Sequence, residues 1–208
     1  MHTVRTKRQQ QAADRREQLL KTAFQLFATR GYRGTSVRDI ARGVGVTEGL
    51  LYHYFSSKAE LFTAVLTSYA PLGIFDTLLE TSEGRAVDEV LREVGLTFLT
   101  FVRERRTFVM TILSEAPADP ELGTLLGIFV QRTSERLNEF LSRHQAANRI
   151  NAGISIEAAV EAFLGGLFLH FLVEAIFARP DATDNELEAA VNSLVQCLLT
   201  GFSPQRQA

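Results

Sequence analysis

Apolar residues recur at helical intervals along most of the chain, and glycine, proline or a capping side chain interrupts them at each break. Leu20, Ala23, Phe24 and Phe27 predict a helix over residues 14–30, ended by Gly31 and Gly34, with Tyr32 in that turn packed under the head of the molecule. Val37, Ile40, Ala41 and Val44 predict a short helix opened by a capping box between Ser36 and Asp39 and closed by Gly43 and Gly45. Thr47 caps a second short helix that turns Leu50, Leu51 and Tyr54 inward. Another capping box, Ser57 with Glu60, starts a helix at Lys58, which Pro71 kinks or terminates. Five more helices are expected over residues 86–106, 108–116, 120–144, 156–178 and 184–201. No stretch alternates as a strand would, so the expectation is an all-α fold of about nine helices, preceded by a flexible basic arm over residues 1–13.

Two short capped helices joined by a glycine-containing turn have the layout of a DNA-reading helix-turn-helix. The second helix of such a unit enters the major groove, which makes Thr47, Glu48, Gly49 and His53 candidates for base contact. Gly49 lets the backbone approach the groove floor, and His53 can donate to guanine or to phosphate. Glu48 can accept from cytosine, although phosphates repel it. The charge distribution agrees. Through Lys58 there are 11 Lys and Arg against 4 Asp and Glu, and from residue 59 onward 11 against 20, within an overall charge of -2. A basic head releases counterions from DNA, and an acidic body keeps the head facing the duplex.

The run from Gly31 to Ala41, with Gly45 to Phe55 and Lys58, resembles the N-terminal domain of the TetR family of transcriptional repressors. Beyond about residue 65 the likeness is one of architecture. It implies a three-helix DNA-binding domain over residues 14–58 and a larger helical domain over residues 59–208 for ligand binding and dimerisation. It also implies that Arg38 reaches a base or clamps a phosphate, and that Thr35, Ser36, Tyr52, Tyr54 and Lys58 fix register on the backbone. For Tyr54 and Phe55 the alternative is core packing between the head helices.

One head reads few base pairs, so a symmetric homodimer on a near-palindromic operator of double-stranded DNA is expected. Ala158, Ala162, Gly165, Gly166, Leu169 and Val173 make a small-residue stripe on one of the last two helices, and Leu187, Val191, Leu194, Val195 and Leu198 a face on the other. Both suit a dimer seam, or a helix pair inside one chain. Phe98, Phe101, Phe108, Phe129, Phe168 and Phe171 suit either an apolar effector pocket or an ordinary core. His170 and Glu174, one turn apart, can orient a ligand, bridge a seam or form a buried pair, and two side chains alone make a poor metal site.

No nucleophile-elbow, zinc-protease or P-loop spacing occurs, so neither an enzyme nor a cofactor is expected. Cys197, alone in the chain, is expected to be a buried inert thiol in a reducing cytoplasm. Residues 158–178 are apolar enough to suggest a span, but Glu161, His170 and Glu174 favour a buried helix and no membrane. The functional expectation is a repressor released from DNA by a small hydrophobic ligand. Its alternatives are the same head on a body answering a protein partner or no ligand, and a ligand carrier with an idle head.

Overall fold

The computed structural model describes residues 6–69, 72–82, 84–177 and 183–200, and they form ten α-helices with no strand among them. They divide into two compact units. The first comprises residues 1–70 and 107–127, the second residues 71–106 and 128–208.

In the first unit, α1 (Lys7–Arg30), α2 (Val37–Val44), α3 (Glu48–Tyr54) and α4 (Lys58–Tyr69) are joined by α7 (Arg106–Glu115), a 3-10 turn (Ala116–Ala118) and the start of α8 (Pro120–Ala146). The core is aromatic at its centre. Phe62 on α4 meets the rings of Phe27 and Tyr32 edge-on at 5.3 and 5.0 Å, and Leu19, Ala23, Ile40 and Leu51 seal the surrounding shell. Phe108 on α7 lies 4.8 Å from Phe24 within this unit, which assigns it to the head's core rather than to an effector pocket.

The expected arm is helical from Lys7 onward. Thr6 accepts from the Gln9 amide, and the Gln9 side chain accepts from the Thr6 amide at 2.8 Å, a full capping box that starts α1 well before its first buried residue, Leu19. Residues 1–5 fall outside the described residues, as do Pro71 and residues 179–181, on which a kink and a break were expected. The box expected between Ser57 and Glu60 is split: Ser57 caps the Glu60 amide, while the Glu60 carboxylate reaches back to the amide and hydroxyl of Ser56.

The second unit contains α5 (Leu72–Glu80), α6 (Val87–Glu104), the remainder of α8, α9 (Ile156–Ile176) and α10 (Asp184–Thr200). The α5 helix was not anticipated. It buries Phe75 and Leu79, four residues apart, and Asp76 pairs with Arg136 of α8 at 3.0 Å. Close approach of α6 to its neighbours depends on Gly95, where a Cβ would lie 2.8 Å from Val191 and 3.4 Å from Leu167. Gly166 on α9 leaves the same kind of room for Leu194 of α10. The Arg106 guanidinium donates to the Ala175 carbonyl at the end of α9, and Arg103 pairs with Asp184 at the start of α10.

Three sequence expectations change here. Leu187, Val191 and Val195 are at most 2% exposed inside their own chain, so they are core residues and cannot also face a second protomer. The α9 helix, expected to be buried, is covered on one side only. Val160, Phe163, Leu167 and Phe171 face inward, whereas Ala158, Ala162, Gly165, Leu169 and Val173 are exposed. By length and hydropathy α9 is the described helix that could cross a membrane unbroken, yet its inner stripe is core. Cys197 is exposed rather than buried.

Candidate nucleic-acid interface

Local chemistry fixes the helix-turn-helix. Ser36 accepts from the Asp39 amide, and the Asp39 carboxylate takes the Ser36 hydroxyl at 2.5 Å and its amide at 3.3 Å. Those bonds, the side-chain one foremost, hold the Asp39 carboxyl below the usual carboxylate range. The turn after α2 needs a left-handed residue, and Gly45 supplies it at φ 73°. Thr47 then caps α3 by accepting from the Leu50 amide at 3.2 Å.

Leu51 is fully buried and pins α3 to the head. The opposite side of the helix presents Gly49, Tyr52 and His53 to solvent, with Tyr52 50% exposed and the His53 ring edge-on to Tyr54 at 5.6 Å. Leu50, expected inside, is 38% exposed on the flank of this face. Beside it the Arg38 Nε donates to Glu48 Oε1 at 2.7 Å. That bond, followed by the charge on Glu48, raises the guanidinium pKa. The pair links α2 to the start of α3 and offsets the charge on Glu48.

The residues expected to hold the DNA backbone separate into two groups. Ser36, Tyr52 and Tyr54 remain at least partly accessible. Thr35 does not, because its side chain is 1% exposed and its hydroxyl donates to the Gly31 carbonyl at 2.8 Å, closing the α1–α2 turn. The half-buried Lys58 sets its ammonium 4.1 Å above the Tyr32 ring. Burial lowers its pKa, against the opposing pull of Glu121, Asp119 and Glu115.

Sequence reasoning missed these carboxylates. Tyr32 donates to Glu121 Oε2 at 2.7 Å, and the Arg33 amide donates to Glu115 Oε2 at 3.1 Å, across separations of 89 and 82 residues. Glu115 packs so closely on Gly31 that a Cβ there would overlap its carboxylate. The α7–α8 corner therefore clasps the turn from which α2 starts. Tyr32→Phe deletes the hydroxyl in that clasp and should cost about 1 kcal/mol, lowering the thermal midpoint by about 2–4 °C. An unchanged melting curve would show the clasp to be energetically idle.

The expected effector residues fall in both units, Phe108 in the first and the other seven in the second. Phe98, Phe101 and Phe129 are half-buried, Phe171 is buried, and Phe168 is 36% exposed with its ring 6.3 Å from that of Phe171. The His170 Nε2 lies 3.3 Å from the Glu174 carboxylate along α9. A cleft of about 660 Å³ in the second unit is lined instead by Arg85, Arg92, Arg149, Ile154, Val195 and Leu199, among others, and by none of the eight expected residues.

The family model for bacterial regulatory proteins of the tetR family matches residues 19–65, from the first buried turn of α1 into α4. The HTH-type transcriptional repressor KstR2 of Mycolicibacterium smegmatis is 34% identical over 139 residues, covering 52% of this chain and 68% of the relative. The HTH-type transcriptional activator FasR of the same organism is 27% identical over 134 residues, 62% of this chain and 60% of the relative. Among solved structures, the transcriptional regulator FadR from Bacillus subtilis, in complex with stearoyl-CoA, aligns with a TM-score of 0.72 at 19% identity, over 90% of this chain and 99% of that one. At that identity the likeness speaks to the fold alone. With α2 and α3 packed as a helix-turn-helix and these relatives beside it, the chain belongs to the tetR family of bacterial regulatory proteins, DNA-binding regulators of transcription.

Proposed function

We propose that the chain is a homodimeric repressor that places α3 of each protomer in successive major grooves of a near-palindromic operator and leaves it when a small apolar effector binds. In this reading residues 14–58 read DNA and residues 59–208 carry dimerisation and the effector response, in the cytoplasm, without catalysis. Arg38, Thr47, Gly49 and His53 touch base edges, Glu48 orients Arg38, and Ser36, Tyr52 and Tyr54 hold the backbone.

The observation that carries it is the uncovered α3 face, Gly49, Tyr52 and His53, held on a head whose inner side is fully packed. The uncovered α9 stripe supports the dimer, because two heads need a rigid link to bind about one helical turn apart. The stearoyl-CoA in the complex of the fold neighbour FadR, a thioester with a long apolar acyl chain, supports an effector with an apolar part. One observation favours the second reading, a body that answers a protein partner or nothing: none of the eight expected pocket residues lines the cleft of about 660 Å³ in the second unit.

Selection of bound duplexes from a random pool should return a sequence with two related half-sites. Calorimetry with stearoyl-CoA as the probe, with and without that operator, should then show weaker binding in the presence of DNA, since a ligand shifts an equilibrium only by its differential affinity. Equal affinities would remove this class of inducer, and a pool without enrichment would remove the operator.

A further inference from the structure

We infer that the first turns of α1 form a second phosphate-binding shoulder beside α3, built on Arg8 and Arg15. The inference rests on the reading that α3 lies in the major groove.

At 100° per residue, Leu51 points into the head and Gly49 and His53 point away from it. The two flanks between these directions are occupied differently. On one, Glu48 meets Arg38 of α2. On the other, Leu50 and Tyr54 share a cleft of about 600 Å³ with Arg8, Gln11, Arg15 and Gln18 of α1. A major groove about 12 Å wide is bordered by two phosphate strands. The α2 flank faces one strand, and the α1 flank stands where the other would pass.

Charge fits that occupant. Arg8 has no ion-pair partner among the described residues, and Arg15 donates to the neutral Gln18 at 2.9 Å. Asp14, the acid in the cleft, is engaged by Gln10 at 2.8 Å. Seven residues separate the two arginines, two turns or about 10 Å along one face of the helix, so they address different phosphates.

Stability alone does not explain this extension. Residues 7–18 of α1 bury nothing fully, and a polar helix of that kind gains little from the core. Its capping box nevertheless holds it in place, which pre-orders a cationic edge and spares the entropy of ordering it on DNA.

The test is the salt dependence of operator binding for the wild type and for the double variant Arg8→Gln/Arg15→Gln, in which helix propensity is retained and charge removed. The slope of log K against log salt should become shallower by about 1.8, two phosphates' worth. The ratio of operator to random-duplex affinity should stay the same, circular dichroism should stay unchanged, and Arg8→Lys/Arg15→Lys should restore most of the slope. An unchanged slope in a variant that binds and folds normally would overturn the shoulder while leaving the α3 reading intact. Absence of salt-dependent operator binding by the wild type would overturn that reading, and the shoulder with it.

Discussion

Gly49→Phe should leave the protein at least as stable as the parent and reduce operator binding to its non-specific level. A Cβ at position 49 meets only the Thr47 hydroxyl, at 4.0 Å, so the new side chain projects into open space. Replacing glycine in a helix by phenylalanine recovers up to about 0.5 kcal/mol of helix propensity. On DNA the same ring occupies the space through which the α3 backbone approaches the base edges. The expected loss is on the order of 10³-fold, the lower end of the usual gap between specific and non-specific affinity. Fluorescence anisotropy on the selected operator at fixed salt reads the loss, and thermal unfolding reads the stability. Retention of binding within about tenfold would place some other surface against the groove. The change removes sequence reading while leaving the cationic shoulders, so binding to random duplex should persist.

The contrast between Gly49 and Thr35 shows where sequence stops being sufficient. The α2–α3 unit was legible because its signals are local: Ser36 caps with Asp39 three residues on, Gly45 takes the left-handed turn, and Thr47 caps the next helix. Thr35 adjoins the same cap, and spacing alone could not show its hydroxyl turned back to Gly31. Longer connections left even less trace. Nothing near Tyr32 announces Glu121, 89 residues away, and nothing in a pattern of phenylalanines separates Phe108 in the head from Phe171 in the body. Periodicity indicated that one face of residues 184–201 is covered, but what covers Leu187, Val191 and Val195 is their own chain. The start of α1 was readable in principle, since Thr6 and Gln9 have capping-box spacing, but no apolar repeat comes after them to mark a helix. The α5 helix lacked a cap signal and covers little more than two turns.

Leu169→Glu should separate the protomers without unfolding either of them. Leu169 is 61% exposed on α9, in line with Val173 at 44% and Ile176 at 62%, on the side opposite the buried Phe163, Leu167 and Phe171. A substitution there meets solvent in the isolated chain and should change its stability by no more than about 0.5 kcal/mol. In the proposed homodimer this patch meets its own copy across the two-fold axis, and burying two carboxylates without partners is strongly unfavourable. Light scattering should therefore report a mass near 23.1 kDa for the variant and twice that for the parent. Operator affinity should fall by about 10²–10⁴-fold, because the second head no longer binds as a tethered partner. Affinity for a duplex carrying one half-site should stay the same, which separates loss of pairing from damage to the head. A variant that keeps the parent mass would move the seam off α9 and leave its apolar stripe to some other occupant.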